Sequence, residues 1–175
     1  MFFSLNKHKE KGAVFIYTYD TRSGYELSEL PIHNTYCKQW FGYSVELTDD
    51  RGLFVGCPLD ENNSGSVYFY TQSDDNEGEF ILLQTIEPSD GGADADDFGW
   101  DIAEDGNIVA IGTHKESRGK VYVFSRINGD WTEVAIIDAP EGDVYFGESL
   151  ALSGNTLVIS SRHNAYSYLL DGCSR

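Results

Sequence analysis

The side chains best able to do chemistry in this 175-residue chain are carboxylates, and they are densest in Asp90-Gly91-Gly92-Ala93-Asp94-Ala95-Asp96-Asp97. Asp94 and Asp96 have the one–three spacing of a calcium loop, with Asp97 beside them. The fifth ligand position of such a loop would fall on Phe98, and calcium takes about six to eight oxygens. Asp94, Asp96 and Asp97 are the metal candidates here, but the stretch reads first as a solvated loop and calcium is not favoured. Gly147-Glu148-Ser149-Leu150-Ala151 imitates part of a Gly-x-Ser-x-Gly nucleophile elbow. It lacks the second glycine and the helix that would hold the strained turn. His8, His33, His114 and His163 show no ligand spacing. With no nucleophile–base pair, phosphate loop or zinc pattern, no catalytic residue and no cofactor are expected, and the chain is not expected to be an enzyme.

Cys37, Cys57 and Cys173 are odd in number and form no C-x-x-C spacing, so neither a disulfide framework nor a metal site is expected. Cys57, in an apolar stretch, reads as a small core residue. Asn62-Asn63-Ser64 is a glycosylation sequon, relevant only in a secreted eukaryotic protein. Net charge is −17, unevenly spread: residues 1–40 sum to +1 and residues 41–175 to −18. Such a surface repels phosphate backbones and anionic lipid and favours cationic partners, so nucleic-acid binding is disfavoured. There is no apolar run long enough to span a membrane as a helix. The first five residues are too short for a signal-peptide hydrophobic region.

The elements that must position any site come from a repeat. Phe41-Gly42-Tyr43-Ser44-Val45 returns as Phe146-Gly147-Glu148-Ser149-Leu150, with a looser copy, Phe98-Gly99-Trp100-Asp101-Ile102, between them. The spacings, 57 and 48 residues, approach the length of a four-stranded propeller blade. Aromatic and β-branched stretches broken by Gly, Asn and Asp predict short strands and tight turns throughout. Strand one of each unit is expected over residues 41–47, 98–103 and 146–152. In the first, Phe41, Tyr43, Val45 and Leu47 should share one face. Turns follow at residues 48–52, 105–107 and 153–155. Strand two follows at 53–58, 108–112 and 157–160, strand three at 66–70, 119–124 and 165–170, and strand four at 80–86 and 131–138. Gly12-Ala13-Val14-Phe15-Ile16-Tyr17 matches the strand-three pattern, so the chain should begin within a strand two.

The expected architecture is all-β. One partial propeller has an incomplete blade at 1–40, blades at 41–97 and 98–145, and an incomplete blade at 146–175. Gly42, Gly99 and Gly147 suit places where backbones converge near the axis. Phe41, Phe98 and Phe146 should wedge between blades. An open arc leaves blade faces and sheet edges unsatisfied. Further blades of a longer chain, or a second copy, are expected to cover them.

These elements resemble FG-GAP repeats, the blade unit of integrin alpha-chain propellers and of many microbial and algal surface proteins. The resemblance rests on Phe41-Gly42-Tyr43-Ser44-Val45, Phe54-Val55-Gly56-Cys57-Pro58 and Gly65-Ser66-Val67-Tyr68-Phe69, with Trp131 at the family's frequent strand-four Trp. The short turns lack the spaced carboxylates of the integrin calcium loop, so metal is not carried over and the repeats are nearer the metal-free microbial type. The resemblance implies ligand binding on the face formed by the strand two-to-three and four-to-one loops. That face should gather Tyr36, Asp60, Glu61, Asn62, His114, Lys115, Glu116, Arg118 and Asp143. The expected function is a non-enzymatic recognition or adhesion module binding a protein or glycan, extracellular or at the cell surface. The alternatives are an accessory propeller of a larger hydrolase and a structural, self-assembling segment. Gly147-Glu148-Ser149 then needs no catalytic explanation, because Ser44 fills the same place in another repeat.

Overall fold

The computed structural model describes residues 3–4, 12–30, 37, 40–59, 64–74, 79–91, 97–116 and 118–171. Every element among them is a strand, and the strands form four antiparallel sheets in which sequence neighbours pair. The first sheet holds β1 (Phe3–Ser4), β2 (Val14–Asp20) and β3 (Gly24–Glu29). The second holds β4 (Val45–Leu47), β5 (Gly52–Cys57), β6 (Ser66–Gln72) and β7 (Phe80–Ile86). The third repeats that order with β8 (Ile102–Asp105), β9 (Ile108–Gly112), β10 (Lys120–Ile127) and β11 (Asp130–Asp138). The fourth has β12 (Leu150–Ser153), β13 (Thr156–Ser160) and β14 (Ala165–Leu169). The protein is all-β, a row of propeller blades. A register shift falls between Phe69 and Tyr70 in β6 and again between Val123 and Phe124 in β10. The repeat thus extends to its bulges.

The core is divided among the joints between sheets. Phe41 is buried with Val14, Ile16 and Leu30 on one side and Leu53, Val55 and Tyr70 on the other. Phe98 lies between Phe54, Val67 and Ile86 of the second sheet and Val109, Ile111 and Phe124 of the third. Phe146 lies between Ile108, Val121 and Val123 and the fourth sheet's Leu157 and Ile159. Each Phe therefore wedges between blades as expected, contributing about 1.5–3 kcal/mol by burial. Trp131, in β11, joins the middle cluster with its ring 5.1 Å from that of Phe54. Gln84 clasps the Trp131 backbone from the preceding sheet, accepting from its N–H (2.9 Å) and donating to its carbonyl (2.8 Å).

Backbones do converge at the repeat glycines. A Cβ on Gly56 would lie 2.2 Å from the Gly99 carbonyl oxygen, and one on Gly112 the same distance from that of Gly147. Ser44 donates across the same gap, from Oγ to the Gly99 carbonyl, at 2.7 Å. Gly99 and Gly147 have φ of +92° and +94°, where a side chain would be strained.

Two expectations are corrected. The Phe-Gly-x-Ser segments are not the starts of strands. Residues 41–44 and 99–101 form turns and bends, Phe98 makes only an isolated bridge to Gly65, and strand one begins only at Val45, Ile102 and Leu150. The left-handed glycine breaks the extended backbone, so the period-two alternation does not hold: Phe41 is buried while Tyr43 and Leu47 are 43% and 46% exposed. Secondly, Cys37 and Cys57 form a disulfide, with Cα atoms 6.1 Å apart. An odd cysteine count conceals one pair, and Cys57 is both a fully buried residue of β5 and half of a cross-link.

Candidate functional site

The loops on one face of the sheets are tied together by backbone hydrogen bonds. The Phe98 N–H donates to the Ser64 carbonyl, Tyr145 N–H to the Lys115 carbonyl, and Arg162 N–H to the Val144 carbonyl, all at 3.1 Å. Each bond joins a two-to-three loop to a four-to-one loop, so the two loop classes do share a face.

The residue before each Phe-Gly pair is left-handed although none is glycine: φ is +68° at Trp40, +51° at Asp97 and +56° at Tyr145. This conformation is costly for a bulky side chain. Here it follows from the turn that buries the next Phe, and it sets these side chains on the loop face. The position after each Phe-Gly pair, occupied by Tyr43, Trp100 and Glu148, joins them there. The result is a ribbon of rings crossing three joints. Trp40 stacks on Tyr43 (centroids 5.2 Å apart), Tyr43 meets Trp100 (4.4 Å), Trp100 stacks on His114 (3.7 Å) and His114 meets Tyr145 (4.7 Å). The Arg162 guanidinium closes the row, 5.5 Å from the centre of the Tyr145 ring.

At that end the ribbon borders an open cleft of about 280 Å³ lined by His114, Tyr145, Glu148 and Arg162. Tyr145 donates its hydroxyl to Glu116 Oε1 at 3.0 Å, and this bond raises its pKa. Burial lowers the pKa of His114 against the opposing pull of Glu148 and Glu116, favouring a neutral ring. Burial also raises the pKa of Tyr43, helped by the negative field of Asp97, Asp101 and Glu148. Among the described residues no ion pair joins Arg162 to Glu148, so both charged groups face the cleft with their polar atoms available.

Of the residues expected from sequence, His114 lines this cleft, and Glu116 supports it by accepting a hydrogen bond from the Tyr145 hydroxyl. Lys115 contributes its carbonyl to the joint beneath it, and Arg118 is exposed on the same loop. Asp143 does not point outward. It is buried, and its carboxylate accepts hydrogen bonds from the Tyr166 and Ser161 hydroxyls (both 2.7 Å) and from the Val144 N–H (3.1 Å). It braces the loop rather than offering a ligand group. Tyr36, Asp60, Glu61, Asn62, Asp94 and Asp96 lie outside the described residues. Asp97 is half-buried beside the ribbon, and among the described residues no group of three His, Cys, Asp or Glu side chains is placed to hold a metal ion.

Trp40, Tyr43, Trp100, Tyr145, Glu148 and Arg162 were not singled out from sequence. For five of the six the signal was present, because they fill the variable positions flanking the invariant Phe-Gly pairs. A repeat holds its scaffold positions constant and leaves such places free to vary. Arg162 has no such mark.

On the opposite side, the first turns gather carboxylates. Burial, and after it the field of Asp50, Glu46, Asp105 and Asp49, pushes Glu104 up to about 7. Arg126 offsets part of this charge by pairing with Asp50.

No curated protein matches the chain. The profile of the FG-GAP repeat family matches residues 82–124, from within β7 through β8 and β9 into β10. That span contains Phe98-Gly99-Trp100, the wedge between the second and third sheets and the middle of the aromatic ribbon. Residues 82–124 therefore match an FG-GAP repeat within a row of propeller-like blades.

Proposed function

We propose that this chain is a non-enzymatic recognition module that works outside the cell, in adhesion, by contacting a protein or glycan through its loop face. The observation that carries the reading is the ribbon from Trp40 to Arg162. It is assembled from turns at three successive joints and ends in a cleft with unpaired polar groups. Rigid sheets presenting variable aromatic and polar loop residues suit binding better than chemistry, and an FG-GAP repeat fits a module of that kind. The Cys37–Cys57 disulfide supports an oxidising compartment.

Arrays of peptides and of glycans, probed with the chain and with a Trp100→Ala/His114→Ala variant, test this. At least one ligand should be retained by the chain and lost by the variant. Equal binding by both would remove the loop face from the function.

A structural, self-assembling role is the second reading. It is favoured by the outward face of the first sheet, where Tyr19, Tyr25 and Leu27 are 65%, 76% and 57% exposed. A monomeric mass at high protein concentration would sink it.

A further inference from the structure

The cleft at the end of the ribbon has a composition that selects among ligands. Glu148 and Arg162 line it together, both exposed and not bridged to one another, with His114 and Tyr145 between them. An anionic ligand would suit Arg162 but would meet Glu148, Glu116 and the field of a chain of net charge −17. A cationic ligand would suit Glu148, but Arg162 already holds the cation position over the Tyr145 ring. A neutral ligand with neighbouring hydroxyl groups suits both at once, since a hydroxyl donates to a carboxylate and accepts from a guanidinium.

We propose, resting on the recognition reading above, that this cleft binds one residue of a neutral oligosaccharide, with further sugar residues running along the aromatic ribbon toward Trp100, Tyr43 and Trp40. A volume of about 280 Å³ lies at the small end of ligand sites, the size for a single ring rather than a folded peptide segment. Glu148 accepts from one hydroxyl and Arg162 donates to its neighbour. The neutral His114 ring has one donor and one acceptor nitrogen and serves either polarity.

Trp100 stacks on His114 with the rings within 11° of parallel, and Glu116 accepts a hydrogen bond from the Tyr145 hydroxyl. The cleft is therefore held in shape before ligand arrives, which lowers the ordering cost of binding. Where a ring of the ribbon is open to solvent, its π-electron density meets the positively polarised C–H bonds of a sugar ring, as it does the edge of another aromatic. Tyr43, 43% exposed, is the most open of these rings for which exposure bears on contact.

The test is titration of the whole chain, followed by amide and Trp indole NMR signals, with four probes. Cellotetraose, mannotetraose and a β-1,3-glucan tetramer are neutral, and tetralysine is the charged control. A neutral tetramer should shift the signals of Trp100, His114 and Tyr145. Glu148→Gln and Arg162→Gln, both at exposed positions that leave the core untouched, should each weaken that tetramer at least tenfold. Saturation at these residues by tetralysine alone overturns the saccharide assignment while leaving the recognition module standing. No shift from any neutral tetramer, or an affinity unchanged from the parent in both variants, overturns it as well.

Discussion

The first and last joints of this row of sheets do the same task with different chemistry. Where the first sheet meets the second, the contact is almost wholly apolar: Val14, Ile16, Leu30, Phe41, Leu53, Val55 and Tyr70 close on one another, and the Cys37–Cys57 disulfide staples the edge. Where the third meets the fourth, Phe146 still wedges the centre, but carboxylates bind the periphery. Asp101 accepts from the Leu150 N–H and Asp105 from the Gly154 N–H, both at 2.7 Å, and Asp143 gathers Tyr166, Ser161 and Val144.

The outward faces differ in the same sense. The first sheet exposes Tyr19, Tyr25 and Leu27. The fourth turns out Thr156, Val158 and Ser167, at places where the third sheet buries Ile108, Ala110 and Val123. The end of the chain with a net charge of +1 is held by apolar contact and sulfur, while the acidic remainder uses its carboxylates as acceptors for backbone N–H groups of the next blade. Part of the charge of −17 is structural.

The joint common to both halves gives the largest expected effect. Phe98 is fully buried between the second and third sheets and touches Tyr122 and Phe124 edge-on. Phe98→Ala should cost about 3–5 kcal/mol and should uncouple the two pairs of sheets, so that denaturant unfolding followed at separate probes loses its coincidence. A loss below about 1 kcal/mol would mean that the joints do not carry the core.

Removing the disulfide comes next. Closing a loop of 20 residues restrains the unfolded chain by about 3 kcal/mol. Reduction should lower stability by roughly that amount, with hydrogen-exchange protection lost at Ile16 and Val55 but kept at Leu157 and Ile159. Equal loss at both ends would show that the two joints are not independent and would erase the contrast between them.

Much of the scaffold was legible in the sequence because strands two to four of a blade obey simple rules. Residues 80–86 are apolar and β-branched between two polar turns, and β7 is Phe80–Ile86. Strand one was misplaced because Phe41-Gly42-Tyr43-Ser44 has the alternation of a strand, while its backbone is set by a left-handed glycine that alternation cannot reveal. The disulfide was hidden by parity, since three cysteines allow one pair and a leftover as readily as none. Most of the cleft was hidden by the repeat itself: the signal of a repeat is its constant Phe-Gly, which is constant because it wedges the core. Tyr145 and Glu148, on either side of it, vary because they face outward. Asp143 was misjudged for the opposite reason, as an acidic loop residue reads as exposed until Tyr166 and Ser161 are seen to close over it.

Asp143 also supplies the smallest and most selective prediction. Hydrogen bonds from Tyr166 and Ser161 hold its pKa below the usual carboxylate range. A lowered acid pKa means that the unfolded chain binds more protons in the interval between the two values, so stability rises with pH there. The contribution is complete above the ordinary aspartate value of about 3.9 and is lost as pH falls through the lowered one. Asp143→Asn should therefore loosen the fourth sheet at pH 7, read as faster amide exchange at Leu157 and Ile159. Its difference from the parent should shrink as pH falls through the lowered value of Asp143. Glu104 runs the other way: its pKa is raised to about 7, so its contribution to stability is present at pH 4 and lost as pH rises through 7. The two acid groups can be told apart by sign alone. If Asp143→Asn leaves exchange at Ile159 unchanged at pH 7, or if its effect persists undiminished into acid, the last joint is held by Phe146 alone and its carboxylates are ornament to an apolar seam like the first.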